Sequence, residues 1–149
     1  DGEAYREART EQARSIGVAD SVKFDPGYYD GAMLAALIQQ ASVVVLPYDS
    51  TEQVTSGVLV EAIANGRPVV ATAFPHAIEL LSNGAGVVVD HGDPDALASA
   101  LRQIITQPRM SGTMAAAARQ LAPEVAWPVV AGAYLELAHR VLGERRTRV

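Results

Sequence analysis

The sequence predicts an open, doubly wound α/β sheet whose strands run mostly parallel. Three observations predict it. Apolar runs rich in β-branched residues recur at Ser42-Val43-Val44-Val45-Leu46-Pro47, Pro68-Val69-Val70-Ala71 and Gly86-Val87-Val88-Val89, and the first, uninterrupted, reads as a strand buried on both faces. Stretches with helical spacing of apolar residues separate these runs. Gly, Pro and Asn punctuate the junctions. Strand and helix in that alternation give a parallel sheet covered by helices.

The elements follow in order. Residues 3–16 read as a helix with a weak apolar face, Ala4, Ala8 and Ala13, and Gly17 at its C-terminal cap. Val22-Lys23-Phe24 is a short strand candidate closed by Asp25-Pro26-Gly27, a strong turn signal. Gly31 to Gln40 carries Met33, Leu34, Leu37 and Ile38 at helical spacing, with Ala41 just beyond. After the strand at 42–47 come a polar loop over 48–55, a helix near 56–65 and the strand at 68–71. Ala77 to Leu81 gives a short helix, 86–89 a strand, and Pro94 to Thr106 a helix. Asp93 caps that last helix, and Ala96, Leu97, Ala100, Leu101, Ile104 and Ile105 form its apolar face. Two more helices close the chain near 109–121 and 125–142. Trp127, Val130, Tyr134, Leu137 and Val141 form the stripe of the last, read as core or interdomain packing.

Bulk properties bound the function. At 149 residues the chain suits one domain with a proper core. A net charge of -5 argues against nucleic acid as the main partner. The basic cluster Arg140, Arg145, Arg146 and Arg148 reads as a solvated tail at a helix end, and membrane contact is not indicated. With no cysteine, disulfides, thiolate metal sites and cysteine nucleophiles are excluded. No apolar run reaches transmembrane length and nothing resembles a signal peptide, so a cytoplasmic location is the default expectation. The chain opens on Asp1-Gly2-Glu3, without Met and directly into a helical pattern, which suggests a piece of a larger protein.

Ligands of open parallel sheets bind beyond the carboxyl ends of the strands. That edge carries Pro47-Tyr48-Asp49, Thr72-Ala73-Phe74-Pro75-His76 and Asp90-His91. The loop 48–55 opens on it and leads into a Ser56-Gly57 helix start. The first N–H groups of a helix are unpaired and its dipole favours an anion; at Gly57 no Cβ stands in the way. Glu61 lies one turn in, on the face of Gly57, Ala64 and Asn65, opposite Leu59 and Ile63. Two readings stay open on pattern alone. Glu61 holds a ligand hydroxyl while the amides hold a phosphate, or Glu61 is an exposed polar position and Ser56 an N-cap. His76 is either a phosphate or acceptor contact or a loop-capping histidine. His91 beside Asp90 and Asp93 hints at a metal, but Asp93 is better explained as a cap, and no metal is expected.

The segment from Ser42 to Gln107 resembles the C-terminal, donor-binding domain of family-4 retaining glycosyltransferases of the GT-B architecture. The residues that carry the resemblance are Val43-Val44-Val45-Leu46-Pro47, Glu61-Ala62-Ile63-Ala64-Asn65-Gly66-Arg67-Pro68-Val69-Val70-Ala71-Thr72, Glu79, Gly84-Ala85-Gly86-Val87-Val88-Val89 and Gly92-Asp93-Pro94-Asp95-Ala96-Leu97. It implies a Rossmann-like sheet lacking its first strands, with extra C-terminal helices. It implies a nucleotide-diphosphate sugar as substrate, transfer by a hexosyltransferase-type reaction with retention, and no metal or other cofactor. Glu61 would bind ribose hydroxyls. Amides around Thr55, Ser56, Gly57, Val58 and Leu59 would face the sugar-phosphate, with Gln53 and His76 nearby. Gly27 and Tyr28 would lie near the base.

Two departures qualify it. Eight positions before Glu61 stands Gln53 where the family has an acid, and Glu52 is one residue early. Either Glu52 reaches the donor sugar, or Gln53 makes neutral hydrogen bonds there; an amide adds donors but removes the charge that steadies a cationic transition state. The family's basic pair on the diphosphate, and its acceptor-binding N-terminal domain, would lie upstream of Asp1. The strand at 22–24, without its usual neighbours, is expected to pair with another copy or sit displaced, and self-association through an exposed sheet or domain interface follows. The chain alone is expected not to turn over. A nucleotide-sugar epimerase of related fold and a non-catalytic α/β binding or interaction module are the competing readings. A flavodoxin or receiver module would need an acidic cluster or a phosphate loop at the first strand, and neither is present.

Overall fold

In the computed structural model, which describes residues 2–146, three strands form one parallel sheet in the order β1-β2-β3. These are β1 (Val44–Leu46), β2 (Val69–Thr72) and β3 (Gly86–Val89). Val45 lies opposite Val70, and Val70 opposite Val87. The chain divides into two compact units, one up to Asp30 and one from Gly31 onward. The sheet belongs to the second.

In the first unit, α1 (Gly2–Ser15) is followed by a single 3-10 turn at Ala19–Ser21. Gly17 ends α1 with φ of 76°. Its N–H donates to Arg14 O and that of Val18 to Ala13 O, the paired closure that needs a left-handed residue. Of the predicted apolar face only Ala13 is buried. The expected strand at 22–24 does not form: Val22, Lys23 and Phe24 are exposed and belong to neither helix nor strand. A strand exists only through its ladder, and three residues without a partner supply none, even with Val22 and Phe24 favouring the conformation. The turn signal after it holds. Asp25 Oδ1 accepts the Gly27 N–H at 3.1 Å, Asp25 Oδ2 accepts the Tyr29 hydroxyl, and Lys23 Nζ lies 3.6 Å away. The Tyr29 hydroxyl first, then the Gly27 amide, hold the Asp25 carboxyl below its ordinary value, and the same bond raises the Tyr29 phenol.

In the second unit helices cover both faces of the sheet. The helices are α2 (Gly31–Gln40), α3 (Gly57–Ala64), α4 (Pro75–Leu81), α5 (Pro94–Thr106), α6 (Pro108–Leu121) and α7 (Trp127–Arg146). Side chains alternate along a strand, so β2 sends Val69 and Ala71 to one face and Val70 to the other. Val69 and Ala71 pack with Leu59, Ala62 and Ile63 of α3 and with Ala77 and Leu81 of α4. Val70 packs with Ala100 and Ile104 of α5 and Met114 of α6. All four β2 residues are buried. β1 was expected to be buried on both faces, but Val44 and Val45 are only half-buried, because β1 is an edge strand. Ile105, placed on the apolar face of α5, is exposed. The stripe of α7 is also largely exposed, with Trp127, Tyr134, Leu137 and Val141 in solvent and Val130 half-buried.

Two glycines are demanded by close approach. Gly66 (φ 63°) stops α3, its N–H on Ile63 O and that of Arg67 on Ala62 O, and a Cβ there would meet Arg119 Cγ at 2.7 Å. At Gly86 a Cβ would lie 2.2 Å from Val69 O, inside the sheet itself. Among the described residues no helix is long and apolar enough to cross a membrane.

Candidate functional site

A cleft of about 440 Å³ opens beside the start of α3. Thr55, Ser56, Gly57, Val60 and Glu61 line one side, His76 of α4 adjoins them, and Val125, Trp127, Val130 and Tyr134 line the other. The predicted inward positions of α3 are observed, and the outward face only in part. Leu59 and Ile63 are fully buried against the sheet, each contributing about 1.5–3 kcal/mol, while Gly57 and Glu61 turn to the cleft. Ala64 and Asn65, placed on the same face, do not reach it. Asn65 Nδ2 instead donates to Glu61 O, and its Oδ1 accepts from Gln39 Nε2. The Glu61 carboxylate is half-buried and has no hydrogen bond or ion pair among the described residues. A carboxylate kept from full solvation without a partner is an acceptor waiting for a donor.

The helix start is a network. Ser56, 3% exposed, caps α3: its Oγ accepts the Leu59 N–H at 3.2 Å and lies 3.1 Å from the Tyr48 hydroxyl. Such a cap contributes about 1 kcal/mol. The Tyr48 ring sits 5.0 Å from that of Phe74, and Thr72 Oγ1 donates to Tyr48 O at 2.7 Å, so the loop after β1 is tied to β2. The Ser56 N–H donates to His76 Nδ1 at 2.9 Å. His76 is therefore a loop-capping histidine and a cleft residue at once. With Nδ1 accepting, the neutral ring carries its proton on Nε2. The amides of Ser56 and Leu59 are thus engaged, and Val60 donates to Ser56 O. Gly57 and Val58 keep unpaired N–H groups, and the space where a Gly57 Cβ would stand is open. Val58 and Leu59 turn their side chains into the core.

Gln53 and Glu52 are not among the residues that line the cleft. Gln53 Nε2 donates to Thr55 O at 2.6 Å, and Glu52 is exposed, its amide on Ser50 Oγ. Gly27 and the 97% exposed Tyr28 belong to the first unit. Asp93 caps α5 through the Ala96 N–H at 2.8 Å. A second hollow of about 170 Å³ at the strand ends is lined by Asp49, Asp90 and Asp93, a set that repels an anion. Among the described residues no group of three His, Asp or Glu side chains is placed to hold a metal ion. Sequence reasoning missed the apolar cleft residues Val60, Val125, Val130, Trp127 and Tyr134, the last two 82% and 71% exposed. The spacing of these two was visible; their position across from Glu61 depends on how α7 returns along the unit.

An open parallel sheet with helices on both faces and a helix start at its carboxyl edge defines the Rossmann-like class of α/β domains. The chain belongs to the glycosyl transferases group 1 family, whose model matches residues 1–107. It is 32% identical over 148 residues to the D-inositol 3-phosphate glycosyltransferase of Streptomyces griseus, covering 99% of this chain and 31% of that protein. The protein of the same description from Salinispora arenicola is 34% identical over 128 residues, 85% of this chain and 28% of its own. Among solved structures, the sucrose-phosphate synthase from Thermosynechococcus elongatus matches with a TM-score of 0.81 at 26% identity, over 95% of this chain and 35% of that one. WaaG, a glycosyltransferase involved in lipopolysaccharide biosynthesis, matches with 0.67 at 28% identity, over 78% and 31%. The chain thus spans about a third of the length of these proteins. The GT-B resemblance and the Rossmann-like fold class hold.

Proposed function

We propose that this chain is the nucleotide-sugar-binding part of a glycosyltransferase that transfers a hexosyl group from a nucleoside diphosphate with retention. The observation that carries the reading is the unpaired Glu61 carboxylate in one cleft with Gly57, a helical turn away, whose amide and that of Val58 after it have no partner among the described residues. A nucleotide sugar needs both kinds of group. Its diphosphate takes N–H donors at a positive helix end, and its ribose presents hydroxyls that an acid accepts. His76 stands at the same cleft and holds the Ser56 amide. Glu52, exposed and outside the cleft, is given no role. Among the described residues no lysine or arginine lines the cleft. The cations for the diphosphate and the acceptor site are assigned to a further domain of a longer protein, and the chain by itself binds donor without transferring it.

Titration of UDP-, GDP- and ADP-sugars against the protein and its Glu61→Ala variant tests this. Loss of a ribose contact at a half-buried acid costs about 1–3 kcal/mol, roughly ten- to hundredfold in affinity. Unchanged affinity in the variant returns Glu61 to an ordinary polar surface position.

A further inference from the structure

Thr55 C=O and Ser56 N–H are the two ends of one peptide group, and a different side chain holds each. Gln53 Nε2 donates to the oxygen at 2.6 Å; His76 Nδ1 accepts from the nitrogen at 2.9 Å. A peptide is planar, so fixing both of its poles fixes its orientation, and with it the ψ of Thr55 and φ of Ser56. Ser56 stands at φ -138°, ψ 110°, the extended conformation of an N-cap. The next two peptides carry the unpaired N–H groups of Gly57 and Val58. Their direction follows from the plane before them and from the Ser56 cap on Leu59.

We infer that Gln53 and His76 are positioning residues, a two-sided clamp on the Thr55–Ser56 peptide that aims the Gly57 and Val58 amides at an anion. The inference rests on the diphosphate reading above. It accounts for the amide at position 53. A carboxamide can donate to Thr55 O, whereas a carboxylate would set one acceptor oxygen against another. It also accounts for a histidine rather than a cation at position 76. The clamp needs an acceptor at Nδ1, which neither lysine nor arginine provides. The two contacts come from opposite directions in sequence, one within the loop and one from the helix after β2, so the clamp also couples the loop to the sheet.

Two readouts decide it, on Gln53→Glu, His76→Phe, His76→Asn and the Gln53→Glu/His76→Phe double variant. Hydrogen exchange of the Ser56 amide is protected in the native protein and in His76→Asn, which keeps an acceptor near the Nδ1 position, and accelerates in His76→Phe. Affinity for the best-binding diphosphate among UDP, GDP and ADP falls about tenfold in Gln53→Glu and in His76→Phe. Affinity for the matching nucleoside, which has no phosphate, stays unchanged. Because both side chains hold one peptide, the double variant loses little more than either single one. An unprotected Ser56 amide in the native protein, or equal losses for diphosphate and nucleoside, overturns the clamp. If no nucleoside diphosphate binds the native protein, the functional reading fails, and the exchange measurement still decides whether the peptide is held.

Discussion

Helices α3 and α7 face each other across the cleft and are held in opposite ways. The eight residues of α3 include three buried ones, two of them large aliphatics with no exposed surface. The twenty residues of α7 contribute no buried side chain from Trp127 to Gly143, and their large apolar groups stand in solvent. Length does not anchor a helix; burial of one face does. The comparison teaches how this cleft is built. Glu61 and the two free amides ride on an element locked to the sheet, while Trp127 and Tyr134 ride on one with little burial behind it.

The sharpest way to test that difference begins beneath α3. A methyl at Gly86 would collide with Val69 O in the neighbouring strand, where no flexible side chain can give way. Gly86→Ala is expected to cost more than about 3 kcal/mol. Chemical denaturation should show a collapsed or lost midpoint, and a native-like midpoint would mean that the sheet under α3 is looser than described. Next in size is the direct contrast between the two walls. Leu59→Ala should destabilise by about 2–5 kcal/mol, whereas Leu137→Ala on α7 should stay within about 0.5 kcal/mol. Equal losses would break the comparison.

The smallest effect lies outside both walls. The Asp25 carboxyl is held below its ordinary value of 3.8 by the Tyr29 hydroxyl and the Gly27 amide. A depressed folded value means the turn's stabilisation is present above 3.8 and lost as pH falls through the lower, folded value. The Tyr29 phenol, raised above 10.0 by the same bond, gives the mirror case. Its share is present below 10.0 and lost as pH rises through the raised value. Amide shifts of Gly27 followed by NMR should move in the acid window and again in the alkaline one, with Glu61 affinity arms kept near neutrality. A Gly27 shift that titrates at the ordinary carboxyl value would show the turn is not held by this bond.

Much of this architecture was legible from local pattern. The bounds of α2, α5 and β3 follow from apolar spacing, from Asp93 and from the glycines that flank them. The inward face of α3 follows from Leu59 and Ile63. What was not legible is relational. Val22-Lys23-Phe24 has strand composition but no ladder, and composition cannot supply a neighbour. Val44 and Val45 look like the interior of a sheet because an edge strand and a central one share a vocabulary. Ser56 and His76 were each visible as capping residues, but the bond between them spans twenty positions. Gln53 was legible as an amide that adds donors, but not the Thr55 carbonyl that it holds. A loop amide three residues before a helix cap, followed by a histidine at the next helix start, is the signal that points to the clamp.

Trp127 is the only tryptophan of the chain, and it stands largely in solvent at the mouth of the cleft. The molecule therefore carries an optical probe with an unusual bias. An indole this exposed is expected to emit in the folded state as a hydrated one, so that unfolding should alter its colour little. A ligand that enters beside Glu61 changes the indole's surroundings directly. Intrinsic fluorescence here reports occupancy far better than it reports folding.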